Sequence, residues 1–242
     1  MKVSVLVPTY NRPALLGEAL DSITRQTMAP GLFEVIVVND GGDPALIPSL
    51  PLGLQGVVLH QPTNRGQSAA INRALTHASG EYITVCSDDD TMLPHKLLGL
   101  STALDKAPAD TAAVFGLPIY TDKAGTPLGC PDQVRAFLHR HPVVTLEIVL
   151  NEGLFVHGTG TMYRRSAVDR IRQPDGTWWD ESLPTAEEFD FHHRLLKFAG
   201  VFRGVDLPVM TYRMGGKHGQ YKTEGGRRPR ETMNRIYAKV RD

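Results

Sequence analysis

Residues 82–90 read Tyr82-Ile83-Thr84-Val85-Cys86-Ser87-Asp88-Asp89-Asp90. The first five are an apolar, β-branched-rich run of strand length, and three adjacent carboxylates close it. A strand that ends this way places negative charge at the carboxyl edge of a sheet, where open α/β sheets bind their ligands. Neighbouring carboxylates repel one another unless a positive charge lies between them. A hard divalent cation, Mn²⁺ or Mg²⁺, suits that place, because it takes one or two carboxylates together with substrate phosphates and water. Taken alone, the cluster reads equally well as an acidic surface loop.

The flanking sequence repeats the pattern. Val3-Ser4-Val5-Leu6-Val7 is a buried-strand run broken by Pro8-Thr9-Tyr10-Asn11-Arg12-Pro13. Leu15, Leu16, Ala19, Leu20 and Ile23 follow at helical spacing behind Pro13, a residue suited to a first helical turn. Residues 33–38 predict a second buried strand, ending at Asn39-Asp40-Gly41-Gly42, and residues 56–60 a third. Residues 67–78 predict a helix with Ala70, Ile71, Ala74 and Leu75 on one face, and residues 93–104 another. Strands alternating with helices imply parallel pairing with right-handed crossovers. That pairing brings the loops after the first, second and fourth strands to a single edge, and their convergence is the argument for a site.

The second half is less regular. Residues 112–115 predict a strand, 119–128 a hairpin around Asp122-Lys123-Ala124-Gly125, and 143–150 a short helix. A strand over 160–164, a short helix over 166–171 and a longer one over 187–199 come next. Residues 201–203 and 209–212 read as closing strands, and a basic, glycine-rich tail leads to a helix over 230–240.

Composition excludes several classes. Lys plus Arg total 26, as do Asp plus Glu, so no global field favours nucleic acid. Two cysteines, Cys86 and Cys130, make neither a disulfide framework nor a zinc ligand set. The N-terminus begins as a strand, and the longest apolar stretch, 143–156, is interrupted by Glu147, Asn151 and Glu152 and is too short to span a bilayer. The expectation is a cytoplasmic protein, with loose contact at the inner face of a membrane left open. No glycine-rich dinucleotide fingerprint follows the first strand and no Walker loop occurs, which argues against a dehydrogenase or a P-loop enzyme.

Taken in order, these segments resemble the family 2 glycosyltransferases, nucleotide-diphospho-sugar transferases of the GT-A fold. The likeness runs through Val-Ser-Val-Leu-Val-Pro-Thr-Tyr-Asn-Arg at 3–12, Val-Val-Asn-Asp-Gly-Gly at 37–42 and Asn64-Arg65-Gly66 through Asn72. It continues through Asp89-Asp90-Thr91-Met92-Leu93-Pro94-His95-Lys96-Leu97, Glu187-Glu188-Phe189-Asp190 with Arg194-Leu195, and Tyr212-Arg213 with His218. Three departures stand out: Ser87 replaces the first aspartate of the Asp-x-Asp motif, Ile71 an arginine, and Glu188 the catalytic aspartate.

The resemblance implies one GT-A domain over 1–242, with a Rossmann-like, mostly parallel sheet flanked by helices and a smaller mixed acceptor-side region. Residues 1–105 would bind the nucleotide sugar, 106–214 would carry acceptor and catalysis, and 215–242 would form the basic tail. The implied partners are a UDP, GDP or dTDP sugar and a sugar, lipid-linked or small-molecule acceptor. Pro8, Thr9, Tyr10, Arg12, Asp40, Arg65, Asn72 and Asp88 would hold the nucleotide. Asp89, Asp90 and His218 would hold Mn²⁺ or Mg²⁺. Glu188, with Glu187 beside it, would be the general base of an inverting transfer, since neighbours on a helix point about 100° apart and only one can face the site. His157, Gly158, Trp178 and Trp179 would line the acceptor side, with exposed indole faces stacking on sugar. The competing readings are a nucleotidyltransferase, a non-catalytic sugar-nucleotide-binding protein and a glycosidase. A nucleotidyltransferase would begin with a glycine-rich loop where Pro8-Thr9-Tyr10-Asn11 stands. A glycosidase would need neither the nucleoside loop nor the metal cluster.

Overall fold

The computed structural model describes residues 1–153, 156–183, 185–214, 234 and 236–239. Strands β1 (Val3–Thr9), β2 (Phe33–Asn39), β3 (Gly56–His60) and β4 (Tyr82–Val85) pair in parallel in the order β3-β2-β1-β4. Helices α1 (Pro13–Thr24) and α2 (Gln67–Leu75) lie in the crossovers after β1 and β3. The strands β1, β2 and β4 are buried on both faces, which is why their sequences are nearly continuous apolar runs. The expectation of a buried third strand is corrected: β3 is the sheet edge, with one neighbour, and its residues are exposed or half-exposed.

Register carries the convergence of loops. Leu6 pairs with Val85 and Thr9 with Asn39, so the chain leaves β1, β2 and β4 at one edge, at Tyr10, Asp40 and Cys86. Side chains alternate across the sheet. Val3, Val5 and Val7 pack with Leu16 and Leu20 of α1, whereas Leu6 packs on the opposite face with Ile71 of α2.

Beyond β4 the sheet becomes mixed. Its members are β5 (Thr91–Met92), β6 (Thr111–Thr121), β7 (Pro127–Gly129), β8 (Val143–Val144), β9 (Thr161–Arg164) and β10 (Val201–Arg213). The full path is β3-β2-β1-β4-β9-β6-β10-β5, with β7 on β6 and β8 on β10, ten strands among the described residues. The helices are α3 (Lys96–Lys106), α4 (Asp132–Arg140), α5 (Leu146–Glu152), α6 (Arg165–Arg170) and α7 (Glu187–Phe198).

Three sequence expectations change here. The runs 112–115 and 119–121 are one long strand, and 201–203 and 209–212 are another; each reads as two because β10 shifts register against β6 around Pro208. The helix expected from 93 begins at Lys96, because Thr91 and Met92 pair with β10 and Leu93 N donates to the Val209 carbonyl. Helix α4 was not anticipated, although Val134, Phe137 and Leu138 stand at helical spacing behind Pro131 and are its buried residues. Among the described residues no helix is long and apolar enough to cross a membrane.

Candidate active site

The acidic loop is held by the end of β1. Thr9 Oγ1 donates to Asp88 Oδ2 at 2.7 Å. Arg12 Nη1 donates to Asp88 Oδ1 at 2.9 Å and to Asp89 Oδ2 at 3.1 Å, so one cationic nitrogen is shared by two carboxylates. Asp88 is 5 % exposed, and burial raises its pKa even though Arg12 and Thr9 oppose the shift. Burial, with Asp89 beside it, pushes the Asp90 carboxyl up to about 7; the Arg213 amide, 3.4 Å from Oδ1, and Thr159 pull the other way. Arg12 follows Asn11, whose φ of 53° lies in the left-handed region that asparagine tolerates better than most residues. That turn brings the guanidinium back over the strand ends.

The second half of the chain meets this loop through the turn Gly158–Gly160, which leads into β9. Ser87 N donates to Thr159 Oγ1 at 3.2 Å. Glu188, in the first turn of α7, also lies against this turn. A Cβ built on Gly158 would sit 3.0 Å from Glu188 Cδ and Oε1 and 3.2 Å from Oε2. Glycine here admits a carboxylate that any larger residue would push away. Glu188 is half-buried and Glu187 is buried, so of the two neighbours Glu188 is the one against the turn.

Sequence reasoning passed over Lys96. It is fully buried, and its Nζ donates to the Thr159 carbonyl. Desolvation lowers its pKa to about 8, against the attraction of Cys86 and Asp90. Burial likewise pushes the Cys86 thiol up to about 12. The signal was available: Lys96 shares a helix face with Leu100 and Leu104, where the pattern calls for an apolar residue.

Two sequence assignments are overturned. Asn72 is not available to a nucleotide, because its Oδ1 accepts from Trp178 N at 3.0 Å and Trp179 N at 2.8 Å. Its Nδ2 donates to the Trp179 carbonyl at 2.9 Å and to Glu181 Oε1 at 3.0 Å. A primary amide has two donors and two acceptor lone pairs, and all four are used. Trp178 and Trp179 are 4 % and 2 % exposed, and Trp179 stacks on Phe191 at 4.6 Å between centroids. Their indole faces are core surface and offer no platform for a sugar.

Asp40 has a second duty. Its Oδ1 accepts from Gln61 Nε2 and Arg65 N, and its Oδ2 from Gly66 N, all within 2.9 Å. It therefore anchors the loop that opens α2, supplying negative charge at the helix N-terminus. The Arg65 side chain reaches Glu181 at 2.7 Å. Pro8 and Tyr10 flank Thr9 at the strand end, and Tyr10 is 44 % exposed.

His157 belongs to an aromatic group beside the loop. Its ring lies 4.6 Å from Tyr212 and 5.8 Å from Tyr120, and its Nε2 is 3.1 Å from the Tyr120 hydroxyl. Burial drives its pKa down to about 4, so the imidazole is neutral at pH 7.

Helix α7 is fixed from behind. Asp190 is fully buried and takes Arg194 Nε at 2.8 Å and Lys239 Nζ at 2.8 Å. Arg194 also donates to the carbonyls of Ile171 and Trp178, and Lys239 to Asp180 at 2.6 Å. Ala186, just before the helix, has φ 63°, a left-handed backbone that costs an alanine about 1 kcal/mol. Among the described residues, Asn11 and Ala186 are the non-glycine positions with positive φ; one precedes Arg12, the other the Glu187-Glu188 pair. His218 and the basic residues Lys217, Lys222, Arg227, Arg228 and Arg230 lie outside the described residues.

The family model described as glycosyl transferase family 2 matches residues 4–172. The chain belongs to glycosyl transferase family 2. An uncharacterized glycosyltransferase of Bacillus subtilis, YwdF, is 28% identical over 251 residues, covering 99% of this chain and 84% of the relative. The crystal structure of S. aureus TarS 1-349 in complex with UDP-GlcNAc superposes with a TM-score of 0.76 at 23% identity, over 98% of this family 2 chain and 66% of TarS 1-349. A mannosyltransferase of Pyrobaculum calidifontis, PcManGT, in complex with GDP-Man and Mn²⁺, gives 0.65 at 21% identity, over 91% and 59%. At these identities the two structures show the shared GT-A fold. The chain spans about a third of two Rickettsia glycosyltransferases that it also matches.

Proposed function

We propose that this family 2 chain transfers a glycosyl group from a nucleotide-diphosphate sugar to an acceptor hydroxyl, with inversion and with a divalent metal at the acidic loop. The observation that carries the reading is the Gly158-Thr159 turn, where Thr159 accepts from Ser87 of the acidic loop and the missing Cβ of Gly158 leaves room for the Glu188 carboxylate. Charge stabilisation for a leaving diphosphate and a base for an attacking hydroxyl then stand at one turn. The nucleotide sugars and Mn²⁺ held by the TarS and PcManGT structures support the donor class and the metal.

The metal is tested against the residues themselves. Asp88 Oδ1 and Asp89 Oδ2 already converge within 3.1 Å of one cationic nitrogen, so the pair can share a cation. Among the described residues no three His, Cys, Asp or Glu side chains form a metal cage. The remaining ligands would be diphosphate oxygens and water, as suits Mn²⁺ or Mg²⁺. When bound, the ion supplies Lewis-acid stabilisation of the leaving diphosphate.

The protein's own groups do the rest. Pro8, Thr9, Tyr10 and Arg12 at the end of β1 form the nucleoside edge, with Tyr10 open for stacking and Asp40 holding the Arg65 loop beside it. Glu188 takes the acceptor proton as the hydroxyl oxygen attacks, and the glycine at 158 leaves its carboxylate room to do so. Lys96 and Thr159 keep the two halves in register.

Thermal unfolding with UDP, GDP, dTDP and CDP, each with and without Mn²⁺, tests the donor side. A nucleotide at a hundred times its Kd adds about 2.7 kcal/mol, or about 5–10 °C in a chain of this size. One nucleotide giving a metal-dependent shift is expected; no shift with any of them sinks the reading. For the base, Glu188→Gln is expected to lower kcat at least a hundredfold with nucleotide affinity unchanged. Retained turnover removes Glu188 from its role.

A further inference from the structure

Arg12, at the nucleoside edge, is also bound to the acidic loop. A single Nη1 of Arg12 is shared by two different carboxylates, at 2.9 Å and 3.1 Å. The two bonds are unequal in setting. Asp88 is nearly buried, with a side chain 6 % exposed, and Thr9 holds its other oxygen. The Asp89 side chain is 37 % exposed, and that of Arg12 is 26 % exposed. Lys96 turns its Nζ to the Thr159 carbonyl, whereas Arg12 donates to the Asp88 and Asp89 carboxylates and Thr9 to that of Asp88. Arg213 reaches this loop at the Asp89 carbonyl through Nε, and its Nη2 is taken by Glu18.

We propose that Arg12 is the resident counter-charge of the acidic loop and competes with the divalent metal for Asp89. The inference rests on the metal-dependent reading above. With no nucleotide bound, the guanidinium neutralises Asp88 and Asp89 together and keeps free metal off the loop. The exposed Asp89 oxygen would hold a metal that comes with a nucleotide, and Arg12 would then keep only the buried Asp88. The loop is therefore poor at collecting metal by itself and good at collecting metal that arrives with a diphosphate.

The test is Mn²⁺ binding, followed by the loss of the free-ion electron paramagnetic resonance signal, to the full chain. It uses wild type, Arg12→Met, Arg12→Gln and Arg12→Lys, with and without UDP or GDP, and a thermal melt confirms that each variant folds. Lys2→Met serves as a control, because Lys2 sits at the opposite end of β1 in a pair with Asp105. Without nucleotide, Arg12→Met and Arg12→Gln are expected to bind Mn²⁺ about tenfold tighter than wild type, with Arg12→Lys and Lys2→Met near wild type. The gain in Mn²⁺ affinity that nucleotide confers is expected to shrink by the same factor. Mn²⁺ affinity in the folded Met and Gln variants equal to or weaker than wild type overturns the proposal while leaving the metal site standing. Absence of Mn²⁺ binding in every protein, with nucleotide present, overturns the metal reading and this inference with it.

Discussion

Asn72 offers the sharpest test of what the tertiary structure adds, because the sequence pattern assigns it to nucleotide and the structure assigns it to the chain itself. Replacing it by aspartate keeps size and shape. The two bonds accepted from Trp178 N and Trp179 N survive, while the two donated to the Trp179 carbonyl and Glu181 Oε1 are lost. Each lost bond costs about 1 kcal/mol. A new carboxylate oxygen also faces the Trp179 carbonyl and the Glu181 carboxylate, where the amide nitrogen stood 2.9 and 3.0 Å from them. Repulsion at that range near a protein surface adds a further few kcal/mol, limited by protonation. The total is about 3–5 kcal/mol, a fall in Tm of about 10 °C for a chain of this length. The sign with pH follows: the new carboxyl has a raised folded pKa, so the deficit is fully present at pH 7 and shrinks as pH falls toward the ordinary carboxyl value near 4. Differential scanning calorimetry at pH 7 and pH 5 reads both effects, and nucleotide affinity below the transition stays at the wild-type value. A Tm within about 1 °C of wild type, combined with lost nucleotide affinity, would refute the reasoning and return Asn72 to the ligand.

Gly158→Ala places a methyl 3.0 Å from the Glu188 carboxylate, so that group must retreat by about half an ångström; kcat is expected to fall about tenfold with Tm and donor KM little changed, and an unaltered kcat would mean that the Glu188 position is not critical. Lys96→Met is expected to leave stability at pH 7 within about 1 kcal/mol, since relief from burying a charge offsets the loss of the Thr159 partner. Lys96 has its folded pKa depressed to about 8, so the unfolded chain holds the extra proton between about pH 8 and 10.4 and wild-type stability gains with rising pH across that window. In urea titrations the methionine variant should lack that gain; parallel pH profiles for the two proteins would show that folding leaves the Lys96 pKa at its unfolded value.

The alternating half of the fold was legible because each step is local: β1, β2 and β4 are central parallel strands, so their residues are apolar throughout, and polar loops follow at the strand ends. The acidic loop, Asp40 and the Gly158 turn were visible for the same reason, as breaks in those patterns. The edge position of β3 was not, because an apolar run of five reads the same with one neighbour or two. The unbroken length of β6 and β10 was hidden by register shifts around Pro208, which interrupt the alternation without ending the strand.

Sequence alone thus determined the order of the strands along the chain, the edge at which their loops converge and the residue types gathered there. Tertiary structure decided which of those residues are free to act. Asn72 and the two tryptophans carry the right chemistry for a ligand site, yet hydrogen bonds between segments about a hundred residues apart and the stacking of Trp179 on Phe191 consume it. Lys96 stands on the apolar face of α3, and only the fold shows its Nζ buried against the Thr159 carbonyl. Spacing along a chain reports the chemistry a side chain carries; whether its donors and acceptors are already spent depends on partners that only folding brings within 3 Å.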